Sequence, residues 1–181
     1  MVYLLLADGF EETEAVAPLD VLRRAEIKVR TVGVTGDMVT GAHGIKMQAD
    51  LAMQQIDTDT MTGIILPGGM PGTLNLQKDA RVTELLKTAA AQDKLIAAIC
   101  AAPMILGGLG LLEGRRATCF PGFEEELHGA QVEDSGVVTD GPFITGRGAG
   151  VALQFGATIV DYFIPDSLKG GQILRQMQCR L

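Results

Sequence analysis

The chain has no tryptophan, only two tyrosines and two histidines, and three cysteines (Cys100, Cys119 and Cys179) in widely separated contexts. An odd, scattered set of cysteines provides no disulfide framework and fits a reducing compartment. With two histidines and no C-x-x-C pair, a structural zinc site has almost no donors, and no metal is expected. No apolar run reaches the roughly eighteen residues that a membrane-spanning helix needs. Basic residues are few, 15 against 22 acidic ones for a net charge of −7, and they form no dense patch. Nucleic acid and anionic membrane are therefore not expected as partners. The N-terminus enters the apolar stretch Val2 to Ala7 at once, without the basic region of a secretory signal, and a cytoplasmic protein is expected.

What remains is a globular composition, with 47% apolar and 20% charged residues over 181 positions. That is enough for one domain with a core, spanning residues 1–181. Short apolar runs alternate with helical periodicity. Strands are read at Val2 to Ala7, Ile27 to Val34, Gly63 to Leu66 and Leu95 to Ile99, with a short one at Arg116 to Phe120. Small hairpins are read at Met38 to Gln48, around Gly41-Ala42-His43-Gly44, and at Val137 to Thr145, around Asp140-Gly141-Pro142. Helices are read at Glu12 to Ala25, Arg81 to Ala91, Ala101 to about Leu106 (broken by Gly107-Gly108), Ala149 to Tyr162 and Leu168 to Met177. Alternating βα units predict a mostly parallel sheet covered by helices on both faces, a three-layer α/β/α sandwich.

Four segments carry candidate chemistry. In Leu95-Ile96-Ala97-Ala98-Ile99-Cys100-Ala101-Ala102-Pro103 a buried strand ends on a cysteine, and the small residues and proline that follow open a helix. Cys100 then lies at the C-terminal edge of the sheet, where open α/β sheets bind ligands, and over a helix N-terminus, which favours thiolate. Lowering a cysteine from ~8.5 to ~5.5 takes about 4 kcal/mol, whereas one helix N-terminus contributes about 0.3–2 kcal/mol, so another donor is needed. Glu11-Glu12-Thr13-Glu14 supplies a candidate. Glu14 on an inward helical face, protonated through burial and like charge, would donate to the sulfur. Leu66-Pro67-Gly68-Gly69 ends a strand in bare backbone, and the amides of Gly68 and Gly69 form a candidate oxyanion hole. Thr145-Gly146-Arg147-Gly148 is a glycine-rich turn without the Lys-Ser/Thr of a phosphate loop, and nucleotide binding is not expected. Cys119 is a candidate resolving thiol for Cys100, with a spectator role as the alternative.

In this order these segments resemble the DJ-1/ThiJ/PfpI superfamily, and its ThiJ-like branch in particular. The resemblance covers nearly the whole chain, and its most specific part is Ala97 to Pro103. It implies a flavodoxin-like fold, a homodimer, and a nucleophile elbow at Cys100 with Glu14 as protonated partner. It also implies backbone N–H groups from Gly69 and Ala101 at the sulfur. The implied activity is cofactor-independent conversion of small reactive carbonyl compounds, of glyoxalase or deglycase type, in carbonyl or oxidative stress. Oxidation of Cys100 to sulfinate, in a redox sensor or redox-regulated chaperone, is the alternative. Part of the dimer contact is expected on the helix bearing Pro18, Asp20, Leu22 and Arg23, and His43 is a candidate to reach a neighbouring site across it. Two departures stand out. Phe120 occupies the place where some members carry a histidine near the cysteine. Ala101 stands where peptidase and amidotransferase branches carry His or Gly, so neither of those activities is expected.

Overall fold

The structure, a computed structural model, describes residues 1–165 and 167–179. Its strands are β1 (Val2–Leu6), β2 (Val29–Gly33), β3 (Met38–Thr40), β4 (Lys46–Gln48), β5 (Leu51–Ala52), β6 (Gly63–Leu66), β7 (Leu95–Ile99), β8 (Arg116–Ala117), β9 (Gln131–Val132), β10 (Val137–Asp140) and β11 (Phe143–Gly146). Its helices are α1 (Glu12–Arg24), α2 (Gly72–Lys78), α3 (Ala80–Ala91), α4 (Pro103–Gly108), α5 (Ala152–Phe163) and α6 (Lys169–Gln176). The main sheet runs β10-β11-β7-β6-β1-β2-β5 and is parallel throughout except at β10–β11. β3–β4 and β8–β9 form separate two-stranded ribbons.

β1, β6 and β7 are buried at every position, which is why their sequences are continuous apolar runs rather than alternating ones. Alternate residues feed two cores. Tyr3, Leu5, Ile64, Leu66, Ile96 and Ala98 meet α2, α3 and α4 on one face. Val2, Leu4, Leu6, Ile65, Ala97 and Ile99 meet α1, α5 and α6 on the other. Each fully buried leucine or isoleucine contributes about 1.5–3 kcal/mol over an exposed one, so burial on both faces holds the central strands in register. The expected α/β/α sandwich is present.

Several local readings are corrected. α2 follows Pro71 directly, in a segment where the sequence pattern assigns no element; its buried positions are only Gly72, Thr73 and Leu76, too sparse a stripe to show as helical period. α4 begins later than expected and continues through Gly107-Gly108. Gly107 is there for closeness, since an added Cβ would lie 2.7 Å from the Leu127 Cα. The strand expected over Arg116 to Phe120 is two residues long and pairs with β9, which has no apolar pattern of its own. Ala149–Val151 is a 3-10 turn rather than the first turn of α5.

Pro18 lies inside α1 and faces α5, where a Cβ on Gly156 would come within 2.8 Å of its Cα. Pro18 and Leu22 are therefore buried within the chain and are unavailable for the dimer contact expected of them. Asp20 and Arg23, with Val16, Leu19, Ile45 and Met47, instead border an open groove of about 730 Å³ between α1 and the β3–β4 ribbon.

Candidate functional site

β1, β6 and β7 end side by side, and the three loops leaving their C-terminal ends meet at one point. Cys100 follows β7 with φ +65°, a left-handed conformation that is unfavourable for a residue with a side chain. The surrounding backbone holds it there. Its N–H donates to the Gly146 carbonyl at 2.8 Å, and its own carbonyl accepts from the Phe120 N–H at 2.8 Å. A strained strand-to-helix turn of this kind lifts the side chain off the sheet edge, and Cys100 is only half-buried.

Glu14 comes from α1. Glu11 caps that helix, its carboxylate accepting the Glu14 N–H at 2.7 Å. This fixes the first turn so that Glu14 points into the protein, where it is 1% exposed. Its carboxyl accepts the Gly68 N–H at 2.8 Å, and Cys100 and the Ala149 N–H lie close enough to favour its ionised form. The amides of Ala101 and Gly69 lie close enough to the sulfur to favour its ionised form. Gly68 therefore serves the carboxyl, while Gly69 and Ala101 serve the sulfur. No side chain fits at Gly68, where a Cβ would lie 2.7 Å from the Cys100 Cβ and 2.7 Å from Glu14 Oε2.

Burial pushes Glu14 up to about 7, against its hydrogen bonds with Cys100, Gly68 and Ala149; the charge of Glu11 adds to the rise. Burial, then the charge of Glu14 and the hydrogen bond to it, push the Cys100 thiol up to about 12, against the amides of Ala101 and Gly69. The carboxyl moves in the expected direction and the thiol moves in the opposite one. With Glu14 ionised, the sulfur keeps its proton. The physical reason is scale: a helix N-terminus contributes about 0.3–2 kcal/mol, less than desolvation and a contacting carboxylate together. The push from Glu14 exists only while Glu14 is charged, so the pair behaves as two groups sharing one proton.

The remaining candidates lie elsewhere. Cys119 is 3% exposed and packs in the core under α2, α3 and α4, whereas Cys100 packs against the other core. Burial, then the charge of Glu124, raise its thiol to about 11, opposed by Arg147. The Arg147 side chain turns to Asp134 and lines a small cleft with Thr118 and Cys119. His43 is solvent-exposed and bound to Glu12. Its Nδ1 lies 2.8 Å from Glu12 Oε2, and its backbone N–H donates to Glu12 Oε1 at 2.8 Å. Hydrogen bonding to Glu12, then the charge of Glu12, raise the His43 pKa. Burial works to raise Glu12, but the His43 ring and the amides of His43 and Ile45 outweigh it and hold Glu12 below the usual carboxylate range. Among the described residues, the one group with metal-ligand spacing is Glu11, Glu12 and His43, with donor atoms within 4.8 Å of one another. The Glu12–His43 pair already accounts for that closeness. Sequence reasoning did not find this pair, nor the Ala149 amide, because neither has a local signal: one joins a helix to a hairpin and the other is a backbone group.

A cysteine in left-handed conformation after a central strand, beside a buried carboxyl from the first helix, defines an α/β sandwich protein with a nucleophile elbow. Residues 1–162 match the model of the DJ-1/PfpI family, and the chain belongs to that family. It is 39% identical to protein DJ-1 homolog B of Arabidopsis thaliana over 90% of this chain and 38% of that protein. It is 34% identical to a deglycase of Pyrococcus abyssi over 81% of this chain and 89% of that one. The fold matches the crystal structure of a cysteine-to-alanine mutant of a DJ-1 superfamily protein from Salmonella typhimurium, with a TM-score of 0.93, 32% identity, and coverage of 99% and 98%. The chain spans about two-fifths of the length of the Arabidopsis relative. Among the described residues no helix is long and apolar enough to cross a membrane.

Proposed function

We propose that this protein converts small reactive carbonyl compounds, with Cys100 as nucleophile and Glu14 as proton carrier. The observation that carries this is the convergence of a half-buried Cys100 and a buried Glu14 carboxyl on Gly68, where an added Cβ would lie 2.7 Å from each. As an aldehyde approaches, the Sγ proton passes to Glu14, the sulfur bonds to the carbonyl carbon, and Glu14 returns the proton to the carbonyl oxygen as the hemithioacetal forms. For a 2-oxoaldehyde, moving a proton from the former aldehyde carbon to the adjacent carbon, and the hydroxyl proton to the neighbouring carbonyl oxygen, gives a 2-hydroxy thioester. Water then releases a 2-hydroxy acid and regenerates the thiol. The sequence consumes one water and no oxidant, reductant or cofactor. The deglycase name carried by the Pyrococcus relative agrees with carbonyl chemistry at such a site. Methylglyoxal consumption tests it. Cys100→Ser abolishes turnover and Glu14→Gln lowers it by at least a hundredfold; a Cys100→Ser protein as fast as wild type overturns the reading.

The Gly69 and Ala101 amides would also hold the oxygens of a sulfinate, so oxidation of Cys100 is the competing fate. Mild peroxide should add two oxygens at Cys100 and spare the buried Cys119; equal oxidation of both in intact-fold mass spectrometry would refute this. A homodimer through the groove beside α1, bordered by the exposed apolar side chains Val16 and Ile45, completes the reading. A monomer by light scattering at micromolar concentration would exclude it.

A further inference from the structure

The polar groups that reach the sulfur and its carboxyl partner come mostly from backbone, and the loops that deliver them carry two large exposed apolar residues, Phe120 and Met70. Phe120 is tied to the elbow by its N–H, which donates to the Cys100 carbonyl at 2.8 Å. Its side chain is 47% exposed, and its ring edge rests on Gly148, where an added Cβ would lie 3.2 Å from Cδ2 and 3.8 Å from Cε2. The next residue, Ala149, supplies the amide that reaches Glu14. Met70 is 43% exposed and directly follows Gly69, whose amide reaches the sulfur. Arg147, the charged residue next to Gly148, turns its side chain to Asp134. A lone exposed aromatic needs no explanation. Phe120 is bonded through its backbone to the elbow and touches Gly148, and Met70 follows Gly69, so two large exposed apolar residues stand on the loops that meet at the reactive pair.

From this we propose that Phe120 and Met70 determine specificity, selecting 2-oxoaldehydes that carry an aryl substituent over methylglyoxal. This rests on the carbonyl reading above and extends it to the substrate's side chain. The carbonyl end is taken by Cys100, Glu14 and the amides; the aryl ring packs on Phe120 in an edge or offset stack and against the Met70 thioether. A stacked aryl group contributes about tenfold in rate constant.

Two measurements test this. The first compares kcat/KM for phenylglyoxal and methylglyoxal in wild type, Phe120→Ala, Phe120→Leu and Met70→Ala. The second needs no turnover: Cys100 alkylation by N-benzyl-iodoacetamide against iodoacetamide, followed by mass spectrometry and normalised to glutathione. Wild type prefers the aryl member of each pair by about tenfold, Phe120→Ala loses the preference, and Phe120→Leu and Met70→Ala keep part of it. An aryl preference equal in wild type and Phe120→Ala in both assays overturns the proposal. Both aldehydes turned over with a ratio that Phe120→Ala does not move would remove the aryl contact and leave the carbonyl reading. An alkylation ratio that Phe120→Ala abolishes, with neither aldehyde turned over, would keep the aryl contact and remove the carbonyl reading.

Discussion

The carboxyl of Glu14 is held where its charge is unfavourable, and that has a measurable consequence for folding. In an unfolded chain the group titrates near its ordinary 4.5, and in the folded protein burial pushes it up to about 7. A raised carboxyl pKa means that the folded state binds the proton more tightly than the unfolded one. The associated stability is complete below about pH 4.5 and is lost as pH rises to about 7. At about 1.4 kcal/mol per pH unit the loss is on the order of 3 kcal/mol. Glu14→Gln removes it. The glutamine oxygen still accepts the Gly68 N–H and its amide donates to Cys100, so it mimics the protonated acid without titrating. Urea denaturation of both proteins at pH 4.5, 5.5, 6.5 and 7.5 should show nearly equal stability at the lowest pH. At the highest, the variant should be more stable by about 3 kcal/mol, with the same m-value. A difference that stays constant from pH 4.5 to 7.5 refutes the assignment of a buried, raised Glu14. The Cys100 thiol titrates too high to contribute in this window.

Gly68→Ala places a methyl 2.7 Å from both the Cys100 Cβ and Glu14 Oε2, so it should cost about 1–3 kcal/mol in denaturation and slow methylglyoxal turnover at least tenfold; a variant with wild-type stability and rate would contradict the packing described. At position 100 the usual order of glycine and alanine should reverse. With φ +65° at that position, Cys100→Gly should be more stable than Cys100→Ala by about 1 kcal/mol, and equal or opposite melting behaviour would refute a strained elbow.

The parts of the fold that read directly from sequence are those that bury both faces of a strand or one stripe of a long helix. β1, β6, β7, α1, α3 and α5 are of this kind. α2 was not legible because it contributes one large apolar side chain, Leu76, to the core, and β5 and β9 were not because two residues cannot carry a period. At the site, the types and order of Glu14, Gly68, Gly69 and Cys100 were visible along the chain, as was the tight turn. The direction of the thiol's proton affinity was not, since it depends on desolvation and on a carboxylate brought from a distant helix. The pairing of His43 with Glu12 was hidden for the same reason.

Most of the groups facing the sulfur and its partner acid belong to the main chain: the amides of Gly68, Gly69, Ala101 and Ala149. Peptide dipoles cannot be deleted by ordinary substitution. A mutational survey of this centre would therefore find two titratable positions of high sensitivity, Cys100 and Glu14. Around them would lie residues that matter through their backbone: Gly68 and Gly69, which have no room for a side chain, and Ala101 and Ala149, which act through the path of the chain.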